Sequence, residues 1–286
     1  MDNRLFTAID SAGIVYTMRI TDRGIPYAGF RWRHGLRYGE SALTAIIEED
    51  VLRLTAHEVK VDADPAALSN SAKSLPIGNP YVSPDNGQVE IALGLYLCAI
   101  ESIDSALLPL VNYIDEARRC IEGRSANPNL PHLSSVTPQK GQDIGPLLIG
   151  YGHQPTLVNN GAAVEFKLEE SLRCRVVVQE GSDPWFVGDA CYLPAASISW
   201  GQKEWLLLQR LQRWARAGRF VREPSGELRA EVLTPNLGQP RNELIMWTGS
   251  QSTALLHVAA KHFNLGGHEI ISIGSNRLVS RYEENG

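Results

Sequence analysis

Short stretches of this chain alternate apolar and polar residues, and longer ones return an apolar residue every three or four positions. Period two lines one face of a strand, and the longer period lines one face of a helix. The alternation is sharpest over residues 89–97, where Val89, Ile91, Leu93, Leu95 and Leu97 share a face after the turn signal Asp85-Asn86-Gly87. Behind it, Leu107, Val111, Ile114 and Ile121 recur at helical spacing, with Asp104 as the expected N-cap and Gly123 as the stop. Upstream, residues 14–20, 27–33 and 51–61 read as strands from their β-branched and aromatic content. Residues 40–50, acidic at the start and apolar within, read as a short helix, and residues 62–84, rich in Pro, Ala, Ser and Asn, as an insertion.

The second half is more regular. Val164, Phe166 and Leu168 alternate with Glu165, Lys167 and Glu169, and Cys174, Val176 and Val178 with Arg173, Arg175 and Gln179. With residues 185–193 these make three consecutive strands joined by polar turns, which predicts an antiparallel meander. A helix over residues 204–217 follows, with Leu207, Leu211 and Trp214 on one face, Arg210, Arg213 and Arg216 on another, and Gly218 as its stop. A hairpin around Pro224-Ser225-Gly226 and an apolar helix over residues 244–263 complete the half, and residues 145–152 read as a short leading helix. The first half reads as a looser version of the same layout.

Residues 123–147 are rich in Pro, Ser, Asn and Gly with no apolar period, and read as a linker. The expected architecture is α+β: two similar units, residues 1–122 and 148–286, each an antiparallel sheet packed by helices on one side.

Two segments carry a resemblance to a known family: LLLQRLQRWARAGRFVREPSGELRAEVL in the second half and NGQVEIALGLYLCAIESIDSALLPLVNYIDEARRCIE in the first. They resemble the YbjN-like domains and the related type III secretion chaperone fold. There a helix precedes a hairpin whose second strand begins near a glycine, and a terminal helix packs back on the sheet. Setting Gly87 on Gly226 matches Val89 to Leu228 and Leu93 to Val232, but leaves Leu97 opposite Asn236. The resemblance implies a non-enzymatic protein-binding or chaperone-like module of a bacterial type, with another protein as partner and no cofactor. It implies burial of a partner's apolar segment on an exposed sheet face or edge, with charged rims setting specificity. Related secretion chaperones pair identical subunits, so a chain holding two units is expected to be a monomer that makes this pairing internally.

Composition narrows the alternatives. A chain of 286 residues, 43% hydrophobic and 21% charged, is long enough for two cored units. A net charge of -5 argues against a general nucleic-acid binder. The N-terminus lacks the pattern of a signal peptide, and no apolar run is long enough to span a membrane, so a cytoplasmic location with no membrane partner is expected. Cys98, Cys120, Cys174 and Cys191 stand singly, outside any CxxC spacing, and read as buried thiols.

No catalytic motif stands out. His257, His262 and His268 are spaced by five and six residues, which does not place them on one helix face, and no metal site is expected. His34, His57, His132 and His153 are scattered, and there is no GxSxG elbow and no phosphate-cradling GxxxxGK[ST] loop. The expected partner-binding residues are therefore Trp32 and Trp185, aromatics beside turns, and Arg210, Arg213 and Arg216, which would steer an acidic partner. Two other readings stay open: a hydrolase or transferase whose site is assembled between the halves, and a phosphate or nucleic-acid binder using the arginine-rich helix.

Overall fold

The fold is described from a computed structural model for residues 3–33, 39–97, 102–131, 133, 154–158, 161–167, 173–180, 185–193, 198–215, 217–235 and 241–263. The chain forms two compact units, residues 1–136 with 212–217, and residues 137–211 with 218–286. The change of unit between Val136 and Thr137 falls inside the segment read as a linker. The described part of that segment is not all solvated, because Pro128, Pro131 and Leu133 are buried.

The first unit runs α1 (Arg4–Ser11), β1 (Tyr16–Ile20), β2 (Pro26–Trp32), β3 (Ser41–Glu48), β4 (Val51–Val59), α2 (Pro65–Ala72), β5 (Asn79–Val82), β6 (Val89–Tyr96) and α3 (Ile103–Ile121). Its six strands form an antiparallel sheet in the order β1-β2-β3-β4-β6-β5. Residues 41–48, expected to be helical, are a strand: Ser41, Leu43 and Ala45 are buried and their neighbours less so, which is period two. The acidic residues that suggested a helix make the turn into β4. Glu48 pairs with Val51, so Glu49 and Asp50 close a two-residue hairpin with φ of 51° and 62°, the positive values a type I′ turn requires.

The expected insertion is also structured. Asp64 caps α2 by accepting from the Ala67 N–H at 2.9 Å, Pro65 occupies the first turn, and β5 follows. At α3 the cap is Ser102, which accepts from the Ser105 N–H at 3.1 Å, and Asp104 sits in the first turn. α3 packs across β4 and β6, α1 lies against α3, and α2 lies against β5. Leu43, Leu54, Ile91, Leu107, Leu110 and Ile114 meet in this core. Each such side chain contributes about 1.5–3 kcal/mol by leaving water. The charged end of α3 is drawn inward too: Asp115 accepts from the Ser41 hydroxyl and pairs with Arg119, while Arg118 lies 3.1 Å from Glu122.

The second unit runs β7 (Gln154–Val158), β8 (Gly161–Lys167), β9 (Arg173–Glu180), β10 (Trp185–Leu193), α4 (Gln202–Trp214, whose residues 212–214 count with the first unit), β11 (Arg219–Arg222), β12 (Leu228–Pro235) and α5 (Arg241–Phe263). Its antiparallel sheet has the order β11-β12-β10-β9-β8-β7. The meander has four strands where three were expected, because β7 pairs with β8 despite Pro155. The leading helix read over residues 145–152 lies outside the described residues. α5 crosses β9, β10 and β12. It approaches closely at Gly188, where a Cβ would stand 2.8 Å from Thr248 Cγ2. On α4 Leu211 is buried as expected, but its buried apolar neighbour is Leu208, and Leu207 and Trp214 are half-buried.

Both units therefore share one order: a four-stranded meander, a helix, a hairpin whose second strand lies beside the fourth meander strand, and a closing helix. The registers agree as well. Val51 faces Tyr96 and Ala56 faces Ile91 in the first sheet, as Trp185 faces Pro235 and Ala190 faces Ala230 in the second. Before each second hairpin strand stands a glycine at positive φ, Gly87 at 69° and Gly226 at 93°, a conformation that residues with a Cβ rarely adopt. The first pairing after it is Val89 with Val82 in one unit and Leu228 with Arg222 in the other.

Candidate functional site

Two features of the first unit expose chemistry that its core does not need. One is the edge of the sheet. Among the described residues β1 pairs with β2 alone, so one side of its backbone has no described strand beside it. Val15 is 89% exposed, Met18 54% and Ile20 60%, so three of the large exposed hydrophobic residues lie on or beside this strand. The other edges described by burial differ: β5 and β11 are each buried along three of their four residues. An exposed edge with apolar side chains is normally blunted by charge, proline or a bulge. On β1 only Arg19 provides such a guard.

The second feature lies on the face of the sheet turned away from α3. Period two sends Leu43, Leu54, Ala56, Ile91 and Leu93 into the core. It leaves Thr44, Arg53, Thr55, His57, Glu90 and Tyr81 on the other side. There the Thr44 hydroxyl is 2.9 Å from His57 Nε2, and His57 Nδ1 is 3.0 Å from Glu90 Oε1. The Tyr81 hydroxyl donates to Glu90 Oε2 at 2.7 Å. With Glu90 ionised, Nδ1–H donates to the carboxylate and Nε2 is left to accept the Thr44 proton. Burial pushes the Glu90 carboxyl up, but the hydrogen bonds from His57 and Tyr81 outweigh it and hold it below its usual range. Burial pushes the Tyr81 phenol well above its usual range, offset in part by the Arg53 charge, so it stays a donor. A register shift between Ala56 and Val59, with Glu58 at φ 55°, places a bulge beside His57.

In the second unit the corresponding face carries ion pairs. Arg219 Nε donates to Glu231 at 2.8 Å, and Arg229 lies 3.3 Å from Glu223 and 3.6 Å from Asp189. Burial, with added repulsion from Glu231 and Glu223, pushes Asp189 up to about 6 against the pull of Arg229 and Arg219.

The residues expected to bind a partner are not gathered by these features. Trp32 ends β2 half-buried, and its indole N–H donates to Asn112 Oδ1 at 3.0 Å, which ties it to α3. Trp185 is 1% exposed and offers no face to a partner; the Asp-Pro before it marks a turn, but the residue itself opens β10 and is interior. Arg210 is exposed on α4, Arg213 lies in its last turn with a side chain 37% exposed, and Arg216 lies outside the described residues. Of the histidines, His257 is buried in α5, where desolvation lowers its pKa, and His268 lies outside the described residues. The Thr44, His57, Glu90 and Tyr81 chain had no local signal, since its members come from four strands and meet only through the sheet.

No protein-family model matches the chain, and no curated protein or solved structure matches it significantly. No helix among the described residues is long and apolar enough to cross a membrane.

Proposed function

We propose that this chain is a chaperone-like protein-binding module that takes up an extended, apolar segment of another protein along β1. The observation that carries this reading is the exposure of Met18 and Ile20 on a strand that, among the described residues, has no neighbour on one side. Unpaired N–H and C=O groups along that edge are best satisfied by another strand, and the alternating side chains then set which strand fits. Tyr16, Met18 and Ile20 project to one side of β1 and Thr17 and Arg19 to the other. The fitting segment alternates apolar residues with polar or acidic ones, the acidic ones facing Arg19. The shared order of meander, helix, hairpin and closing helix supports the likeness to secretion chaperones, and with two such units in one chain the protein acts as a monomer.

The test is binding of a reduced, carboxymethylated unfolded protein, followed by fluorescence anisotropy. Wild type binds it, and Met18→Asp/Ile20→Asp weakens binding at least tenfold while keeping the same melting temperature. Equal binding by the two proteins removes β1 as the site.

A further inference from the structure

We propose that Thr44, His57 and Glu90 form a centre for acyl transfer from small activated esters. Hydroxyl, imidazole and carboxylate stand in the order that such chemistry needs, with separations of 2.9 and 3.0 Å. A carboxylate that holds Nδ1–H keeps Nε2 basic and aimed at the hydroxyl, and Tyr81 fixes that carboxylate through its second oxygen. The three residues lie on β3, β4 and β6, paired strands of one sheet, so their spacing is set by ladder register rather than by a loop. The bulge at Glu58 lies directly after His57, a position at which bulges re-aim a side chain.

Thr44 faces Gly29 on β2, and among the described residues a Cβ at Gly29 would meet nothing nearer than the Thr17 carbonyl oxygen at 3.9 Å. The missing side chain at Gly29 is where a short acyl group would lie. Thr44 is half-buried and the His57 side chain is 30% exposed, so a small ester reaches both. Arg53 projects from the same face, two residues before the Thr55 that pairs with Thr44, and its Nε has no hydrogen-bond partner. Its Nη2 already donates to the Arg213 carbonyl oxygen at 2.9 Å, so Nε is the part of this positive charge left to stabilise an oxyanion formed on that face.

In the first step Thr44 Oγ1 attacks the acyl carbon while its proton passes to His57 Nε2. The C–O bond to the leaving group then breaks, and that proton goes to the departing alkoxide, leaving an acyl ester on Thr44. In the second step water gives a proton to His57 and its oxygen to the acyl carbon. The acid departs and the proton returns to Thr44. Thr44 and His57 are the catalytic residues, and Glu90 is a positioning residue. This reaction stands apart from partner uptake at β1, and either can fail without the other.

The experiment uses p-nitrophenyl acetate and the full chain. Wild type is expected to release p-nitrophenol and, after acid quench, to carry an acetyl group that peptide mapping places on Thr44. Thr44→Val should lose that adduct and slow release about a hundredfold, His57→Gln should do the same, and Thr44→Ser should retain both. Glu90→Gln should lower kcat about tenfold with KM unchanged, because the imidazole loses the carboxylate that orients it. The proposal is overturned if wild type is no faster than an equal concentration of free imidazole. It is equally overturned if Thr44→Val matches wild type, or if acetyl groups map only to lysines and the terminal amine.

Discussion

Arg219 and Glu231 stand directly opposite each other on the β11–β12 ladder, 2.8 Å apart and both almost fully removed from water. A buried pair costs much desolvation, so its net worth is small, but losing one member strands the other. Glu231→Leu alone is expected to destabilise the protein by about 3–5 kcal/mol. The double replacement with Arg219→Leu should recover most of that loss in urea unfolding.

Val89 and Val176 are 1% and 2% exposed on the core faces of the two sheets. Val→Asp at either position should cost roughly 3 kcal/mol or more through a buried, unpaired carboxylate. A change below about 0.5 kcal/mol, the range of surface substitutions, would place the residue on the wrong face.

Asp189 supplies a pH dependence of defined sign. Its folded pKa, near 6, lies above the ordinary 3.8, chiefly through burial. Between those values the folded chain binds more protons than the unfolded one, so stability contributed here falls as pH rises toward about 6 and is flat above it. Asp189→Asn should therefore stabilise the protein near neutral pH, by roughly 2–3 kcal/mol, and flatten that slope. Glu90 has the opposite sign: its folded pKa is lowered, so its contribution is present above the ordinary 4.5 and is lost as pH falls through the folded value. Glu90→Gln should remove part of the acid-side loss. Urea midpoints across the range from about pH 2 to pH 8 separate the two.

Light scattering should give a mass near 31.5 kDa at all concentrations. A stable dimer would mean that an edge such as β1 pairs with a second copy.

Strands that alternate over a full buried face were legible from the chain, and β6, β9 and β10 are the clearest. Where the structure departed from expectation, one local signal had been outweighed by another. The acidic ends of β3 resemble a helix start, and the pairing of Glu48 with Val51 and the positive φ of Glu49 and Asp50 show that they form a hairpin. Asp64-Pro65 was a readable cap and first turn, hidden by the loop-like composition around it. β7 carries a proline and little alternation, and its strand character comes from pairing with β8. The polar chain through His57 was not legible at all. Its members are 13, 33 and 9 residues apart in successive contacts, and only ladder register joins them. The exposed edge was equally hidden, since Met18 and Ile20 look like any apolar strand residues until the sheet order puts β1 at the edge of the described sheet.

Hydrogen exchange on β1 tests partner uptake most directly. Amides of residues 16–20 that point away from β2 have no strand partner among the described residues and should exchange fast in the free protein. Adding a reduced, carboxymethylated unfolded protein should slow those amides while leaving the buried edge strand β5 unchanged. Protection that appears elsewhere and leaves β1 as fast as before would contradict binding by strand addition at this edge.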